Sequence, residues 1–152
     1  MPEKVESDLL NSVEPKKIYV PFQDEDLPKT AMVLVDTSIW VTHLRQSSQQ
    51  LEKLLMDAEV MCHPFIIGEL ACGNLKNRYE IISLLQSLPM AQMIEFDEFL
   101  SFIDQNHLMG KGIGFVDVHL LASSQLSGVP LLTADKSLKS AADQLGLTFR
   151  KK

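Results

Sequence analysis

Ala31-Met32-Val33-Leu34-Val35-Asp36-Thr37-Ser38 is a short apolar run that stops abruptly at a carboxylate followed by two hydroxyls. Its hydrophobicity is continuous rather than alternating, which suits a strand buried on both faces of a parallel sheet. In open α/β sheets, sites form outside the carboxyl ends of the strands. The stretch therefore reads as a first core strand, Val33–Val35, that delivers Asp36 to one edge of a sheet.

Downstream, helical and strand patterns alternate. Ser38 suits the cap of a helix running through Leu44, and Gln49–Ala58 is a second helix with Leu51, Leu54 and Leu55 on one face. Glu59–Cys62 reads as a strand, and Pro64 opens a helix that ends near Gly73. Helices follow at Tyr79–Leu88, Asp97–Leu108 and Phe115–Leu126, the last closed by Gly128, and another at Ser137–Leu145. Further strands are expected at Gln92–Glu95, Leu131–Thr133 and Leu147–Phe149. Such alternation predicts an α/β fold, with a central parallel sheet of about five strands covered by helices on both faces.

Upstream, residues 1–31 carry four Lys and seven acidic residues, and Pro2, Pro15, Pro21 and Pro28 interrupt any long element. Ile18-Tyr19-Val20, with Phe22 nearby, is the one apolar knot. The segment reads as a disordered or loosely docked leader. A strand-like cover over a groove or a neighbouring subunit is the alternative. Met32 directly precedes the first strand and is a candidate natural start, which makes 32–152 the domain proper.

A chain of 152 residues suits one domain with a real core. No apolar run approaches the roughly 18 residues of a membrane span, and the N-terminus lacks the apolar stretch of a signal peptide. Cys62 and Cys72 are too few for a disulfide framework and read as reduced core thiols of a cytoplasmic protein. No Cys/His spacing fits zinc. The formal charge of −6 argues against broad, nonspecific nucleic-acid binding, but it allows a nuclease whose acids are gathered in a metal pocket.

Four acidic residues stand in apolar company. Asp36 ends the run at 31–35, Glu69 is the only charged residue between Val60 and Leu75, and Asp117 is alone between Gly112 and Asp135. A carboxylate in such surroundings is costly without a partner. Asp36, Asp117 and Asp135 each stand before, or in the first turn of, a predicted helix, where capping is an alternative use. Glu69 lies mid-helix in Phe65-Ile66-Ile67-Gly68-Glu69-Leu70-Ala71. That helix is apolar nearly all round, so it is expected to be buried with its one carboxylate facing something positive. Convergent carboxylates repel one another, and a hard divalent cation with a preference for oxygen ligands resolves the repulsion.

These pieces resemble a PIN-domain nuclease, and most of all the toxin of a VapBC toxin–antitoxin pair. The resemblance is carried by V-D-T-S-I-W at 35–40, H-P-F-I-I-G-E-L-A-C-G at 63–73, G-I-G-F-V-D-V-H-L-L-A-S at 112–123 and P-L-L-T-A-D-K-S-L at 130–138. It implies a PIN-like three-layer α/β/α sandwich, with Asp36, Glu69, Asp117 and Asp135 as an acidic quartet that holds Mg²⁺, with Mn²⁺ as a substitute. Ser38 matches a supporting hydroxyl, with Thr37 beside it. Leu121 stands where many relatives have Ala, a departure expected to touch packing alone. The implied activity is endoribonucleolytic hydrolysis of RNA phosphodiesters. The implied partners are an RNA substrate, a cognate VapB-type antitoxin and a second copy of the chain, with no membrane. A PIN module that binds RNA or protein without cleavage is the alternative.

Arg45, Lys76, Arg78, Lys111 and Lys139 are candidate phosphate contacts. Lys111 stands out within Gly110-Lys111-Gly112-Ile113-Gly114, a flexible loop just before Asp117 that does not match a dinucleotide fingerprint. His43 and His107 read as boundary or surface residues, His63 as a cap or packing residue before Pro64, and His119 as lying on a different helix face from Asp117. Trp40 and the Phe residues read as core or interface. A dehalogenase-like phosphatase would need a second Asp where Ser38 stands, and a response-regulator receiver would need paired acids after the first strand.

Overall fold

The computed structural model describes residues 31–151; the expected leader, apart from Ala31, lies outside the described residues. Three parallel strands, β1 (Val33–Val35), β2 (Val60–Met61) and β3 (Leu131–Leu132), form a sheet in the order β2-β1-β3. Register pairs Val33 with Val60 and Leu34 with Met61 on one side of β1, and Leu34 with Leu131 and Val35 with Leu132 on the other. Val33, Leu34 and Val35 are each 0% exposed, so β1 is the two-sided central strand that its continuous hydrophobicity predicts.

Two single parallel bridges extend the sheet, Cys62 with Met90 beyond β2 and Thr148 with Leu131 beyond β3. Four of the five expected strand positions pair, three as strands and one as the bridge at Thr148; the other bridge, at Met90, lies outside the expected ranges. The strand expected at Gln92–Glu95 does not form. Pairing falls earlier, where Cys62 N–H donates to Pro89 O and Ala91 N–H donates to Cys62 O, each at 2.8 Å. Pro89 has no N–H to continue the ladder. Glu95 already caps the next helix, its N–H donating to Glu98 Oε1 at 2.8 Å, so residues 92–95 serve as a connector.

Seven helices lie in the described residues: α1 (Thr37–Gln46), α2 (Gln49–Met56), α3 (Pro64–Ala71), α4 (Arg78–Ser87), α5 (Phe96–Asn106), α6 (Phe115–Ser127) and α7 (Lys136–Gln144). Helices intervene in every connection between paired parallel strands, as the α/β reading requires. Ser38 is not the cap of α1. Asp36 is, because it stands just before Thr37, the first residue of the helix, with extended backbone, and its carboxylate accepts from Ser38 N–H. α2 is capped by Ser48, which accepts from Leu51 N–H at 3.2 Å. α6 ends at Gly128, whose φ of 70° is the left-handed conformation that glycine adopts without penalty.

The core lies around β1 and α6. All seven residues from Val118 to Ser124 are buried, and Leu121 is fully so. Trp40, Ile66, Leu85, Leu131 and Leu138 close around them. Each such side chain contributes about 1.5–3 kcal/mol by leaving water. Cys62 is buried, and burial pushes its thiol up to about 11, which keeps it protonated. Cys72 is exposed, contrary to the expectation of a core thiol, because it follows the last turn of α3. No helix among the described residues is long and apolar enough to cross a membrane.

Candidate active site

β1 ends at Val35 and α1 begins at Thr37, so Asp36 occupies the turn between them, 5% exposed. Its Oδ2 accepts from Ser38 Oγ at 2.8 Å and from Thr133 Oγ1 at 2.7 Å. Each hydroxyl also accepts a backbone proton, Ser38 Oγ from Ala134 N–H and Thr133 Oγ1 from Asp135 N–H, both at 3.0 Å. Donor and acceptor are satisfied on both hydroxyls, and together they lock the carboxyl end of β1 to that of β3. Thr133 was not singled out from sequence. The signal was present: it lies two residues from Asp135, as Ser38 lies two residues from Asp36.

The other three acids are anchored by the same logic. Asp135 caps α7, with Oδ1 accepting from Leu138 N–H at 2.9 Å. Asp117, in the first turn of α6, accepts from Gly114 N–H through Oδ2 at 3.3 Å. Glu69 accepts from Thr37 Oγ1 through Oε1 at 2.6 Å. Thr37 therefore ties α1 to α3, which places Glu69 beside the residue that follows Asp36. The expected burial of Glu69 needs correction: it is exposed, and among the described residues its hydrogen-bond partner is the Thr37 hydroxyl. α3 buries Ile66 and Leu70 and turns Gly68 and Glu69 outward, an asymmetry that its overall apolar composition conceals.

Capping and convergence are thus not alternatives here. Each carboxylate spends one oxygen on the protein. Asp36 Oδ1, Glu69 Oε2, Asp117 Oδ1 and Asp135 Oδ2 accept no hydrogen bond among the described residues. Among the described residues, no Lys or Arg pairs with any of the four; the ion pairs there are Lys53–Asp57 and Arg150–Asp143. Asp117 registers the accumulated charge. Burial first, and then the carboxylates of Asp36, Asp135 and Glu69, hold its pKa above the usual carboxylate value, against the lowering effect of the Gly114 N–H.

The donor set is oxygen-only and uncompensated, which fits a hard divalent cation. Among the described residues, no three acidic, His or Cys side chains are gathered tightly enough to grip an ion directly. An ion held here would therefore need water between it and some of these oxygens.

The histidines stay out of the carboxylate mouth. His63 is fully buried and caps α3, as expected, with Nδ1 accepting from Phe65 N–H at 3.0 Å. His119 is buried among Phe65, Phe99 and Phe115, ring centroids 4.6–4.8 Å away, and its ring nitrogens have no partner among the described residues. His43 accepts from Ser48 N–H at the end of α1, and His107 is an exposed helix end. Of the candidate phosphate contacts, Arg78 is committed to the carbonyls of Ala71 and Gly73, fixing the end of α3. Arg45, Lys76, Lys111 and Lys139 are exposed. The loop bearing Lys111 packs on the start of α7, where a Cβ on Gly112 would come within 3.3 Å of Ser137 Oγ.

Comparison with known proteins agrees with this arrangement. A family model described as PIN domain matches residues 33–144. Ribonuclease VapC32, from two strains of Mycobacterium tuberculosis, is 42% identical over 119 residues, spanning 78% of this chain and 96% of the relative. The crystal structure of PAE2754 from Pyrobaculum aerophilum superposes with a TM-score of 0.54 over 73% of this chain and 84% of that one. At 18% identity that likeness speaks to the fold alone. On the family match and the extent of the identity, the chain belongs to the PIN-domain family, among its VapC-type members.

Proposed function

We propose that the chain is a divalent-metal-dependent endoribonuclease, the toxin of a type II toxin–antitoxin pair acting in the cytoplasm. The observation that carries this reading is the set of four strand-end and helix-borne carboxylates, each with one oxygen that accepts no hydrogen bond among the described residues. The name of the Mycobacterium relative, a ribonuclease, supports RNA as the substrate. Asp36, Glu69, Asp117 and Asp135 would hold Mg²⁺ or Mn²⁺, in part through water. Such an ion supplies a lowered pKa for water and neutralises charge on phosphoryl oxygens.

The chain's own contribution is preorganisation. Ser38 and Thr133 fix the rotamer of Asp36, so its free oxygen does not reorient during the reaction. Thr37 does the same for Glu69, which α3 alone leaves exposed. Asp117 feels the charges of Asp36, Asp135 and Glu69, a repulsion that a cation would relieve. A VapB-type antitoxin and a second copy of the chain are the proposed partners.

Cleavage of RNA by the purified chain should require Mg²⁺ or Mn²⁺ and stop on chelation. Mg²⁺ should also raise the midpoint of thermal unfolding, and Asp117→Asn should reduce that shift. Cleavage that persists in chelator would overturn the assignment. Binding of RNA without cleavage, at any divalent concentration, would favour the non-catalytic alternative. Thr133→Val should lower cleavage about 10–100-fold, as loss of an orienting partner does. Thr133→Ser should restore most of it; a Thr133→Val variant with wild-type cleavage would remove the hydroxyl from the mechanism.

A further inference from the structure

Beside the carboxylate mouth, on the far side of β3, lies a cleft of about 260 Å³. Its floor is apolar, with Leu132 and Phe149, and Gln50 from the start of α2 forms one wall. Lys136 and Lys139 line it from α7 and Lys151 from the chain's C-terminal stretch, while no acidic residue lines it. None of the three lysines makes an ion pair or side-chain hydrogen bond among the described residues. In a chain of formal charge −6, three unpaired cations around one acid-free cleft are a local reversal of sign.

The cleft is continuous with the site. Thr133 and Ala134 belong to its lining, and the same two residues bond to Asp36 and Ser38. Lys136 directly follows Asp135. A strand whose phosphate sits at the carboxylates therefore meets lysines one residue beyond the last acid. Basic side chains beside an aromatic and apolar floor make up a single-strand nucleic-acid site: the cations follow the backbone and the floor takes a base.

We propose that this cleft and its rim hold the nucleotides of single-stranded RNA next to the scissile phosphate, with Lys136, Lys139 and Lys151 on their phosphates and one base over Leu132 and Phe149. The proposal rests on the ribonuclease reading for which phosphate lies at the mouth, but its binding function does not need cleavage.

The test is binding of a short single-stranded oligoribonucleotide in chelator, measured across a salt series. Each phosphate contact on a single strand adds about 0.7 to the slope of log affinity against log salt. The Lys136→Gln, Lys139→Gln, Lys151→Gln triple variant should bind about tenfold or more weakly at low salt, with the slope reduced by about 2. Lys53→Gln, at a cation already paired with Asp57, should leave both unchanged. The substituted lysines are exposed, and an unchanged thermal midpoint confirms an intact fold. An unchanged slope in the triple variant, with wild type binding RNA, would overturn the cleft while leaving the nuclease reading standing. Lysine-dependent binding by a chain that cleaves no RNA would support the cleft and sink the nuclease. Equal affinity for an oligoglutamate of matched charge would assign the cleft to an acidic peptide and overturn the proposal.

Discussion

Asp36→Asn is expected to lower RNA cleavage by on the order of 10³-fold while leaving the fold without metal at least as stable as wild type. The two halves of this expectation come from the two oxygens. Oδ2 is structural: it takes the hydroxyls of Ser38 and Thr133 and caps α1. Asn caps helices as well as Asp, and its single oxygen satisfies those donors. The amide NH₂ then occupies the place of Oδ1, where it cannot ligate a cation. A full charge is also removed from a group of four carboxylates with no basic partner among the described residues, so their mutual repulsion falls. Loss of function without loss of stability is the usual sign of a residue kept for activity. The check is multiple-turnover cleavage at saturating Mg²⁺ beside a thermal melt in chelator. A loss under tenfold would remove Asp36 from the centre of the site. A collapse of the melt would make it a structural cap.

The features legible in sequence were those that lie within a few residues of one another. Continuous hydrophobicity at 33–35 identified a strand buried on both faces, and an acid after the first and third strands located the edge that matters. Helix identity was readable throughout, whereas the strand expected at 92–95 was displaced by a proline without an N–H and by a capping pair at Glu95 and Glu98. Glu69 was found because capping cannot explain it, but its surroundings were misjudged. Helix composition does not say which face is turned outward, and its partner Thr37 is 32 residues away. Lys136 and Lys151 were passed over for the same reason. The cleft that unites them is built from α2, β3, α7 and the last residues, segments that nothing local connects.

Lowering the pH from neutral to about 4 should cost about 3 kcal/mol of stability through His63 alone. His63 is 0% exposed, and its Nδ1 accepts from Phe65 N–H, so the ring is neutral with its proton on Nε2, directed at Ser123 Oγ 3.1 Å away. Protonating Nδ1 would break the cap of α3 and bury a charge. Burial, and secondarily the nearby His119, therefore push its pKa down from 6.5 to about 4. Between those values the unfolded chain takes up a proton that the folded chain refuses. The unfolded state binds more protons, so stability falls as pH falls through the window. His119, also lowered by burial, adds a change of the same sign, while the raised Asp117 works in the opposite direction at acid pH. Denaturant unfolding of wild type and His63→Asn at pH 7 and pH 4 separates these. Asn keeps an acceptor for Phe65 N–H but does not titrate, so both remaining contributions cancel in the comparison. The variant should be less stable at pH 7, where it lacks the ring's packing and the Ser123 bond, yet it should lose about 3 kcal/mol less on acidification. Parallel losses in the two proteins would mean that His63 is charged in the folded state, and the hydrogen bonds of α3's first turn would then have to be drawn differently.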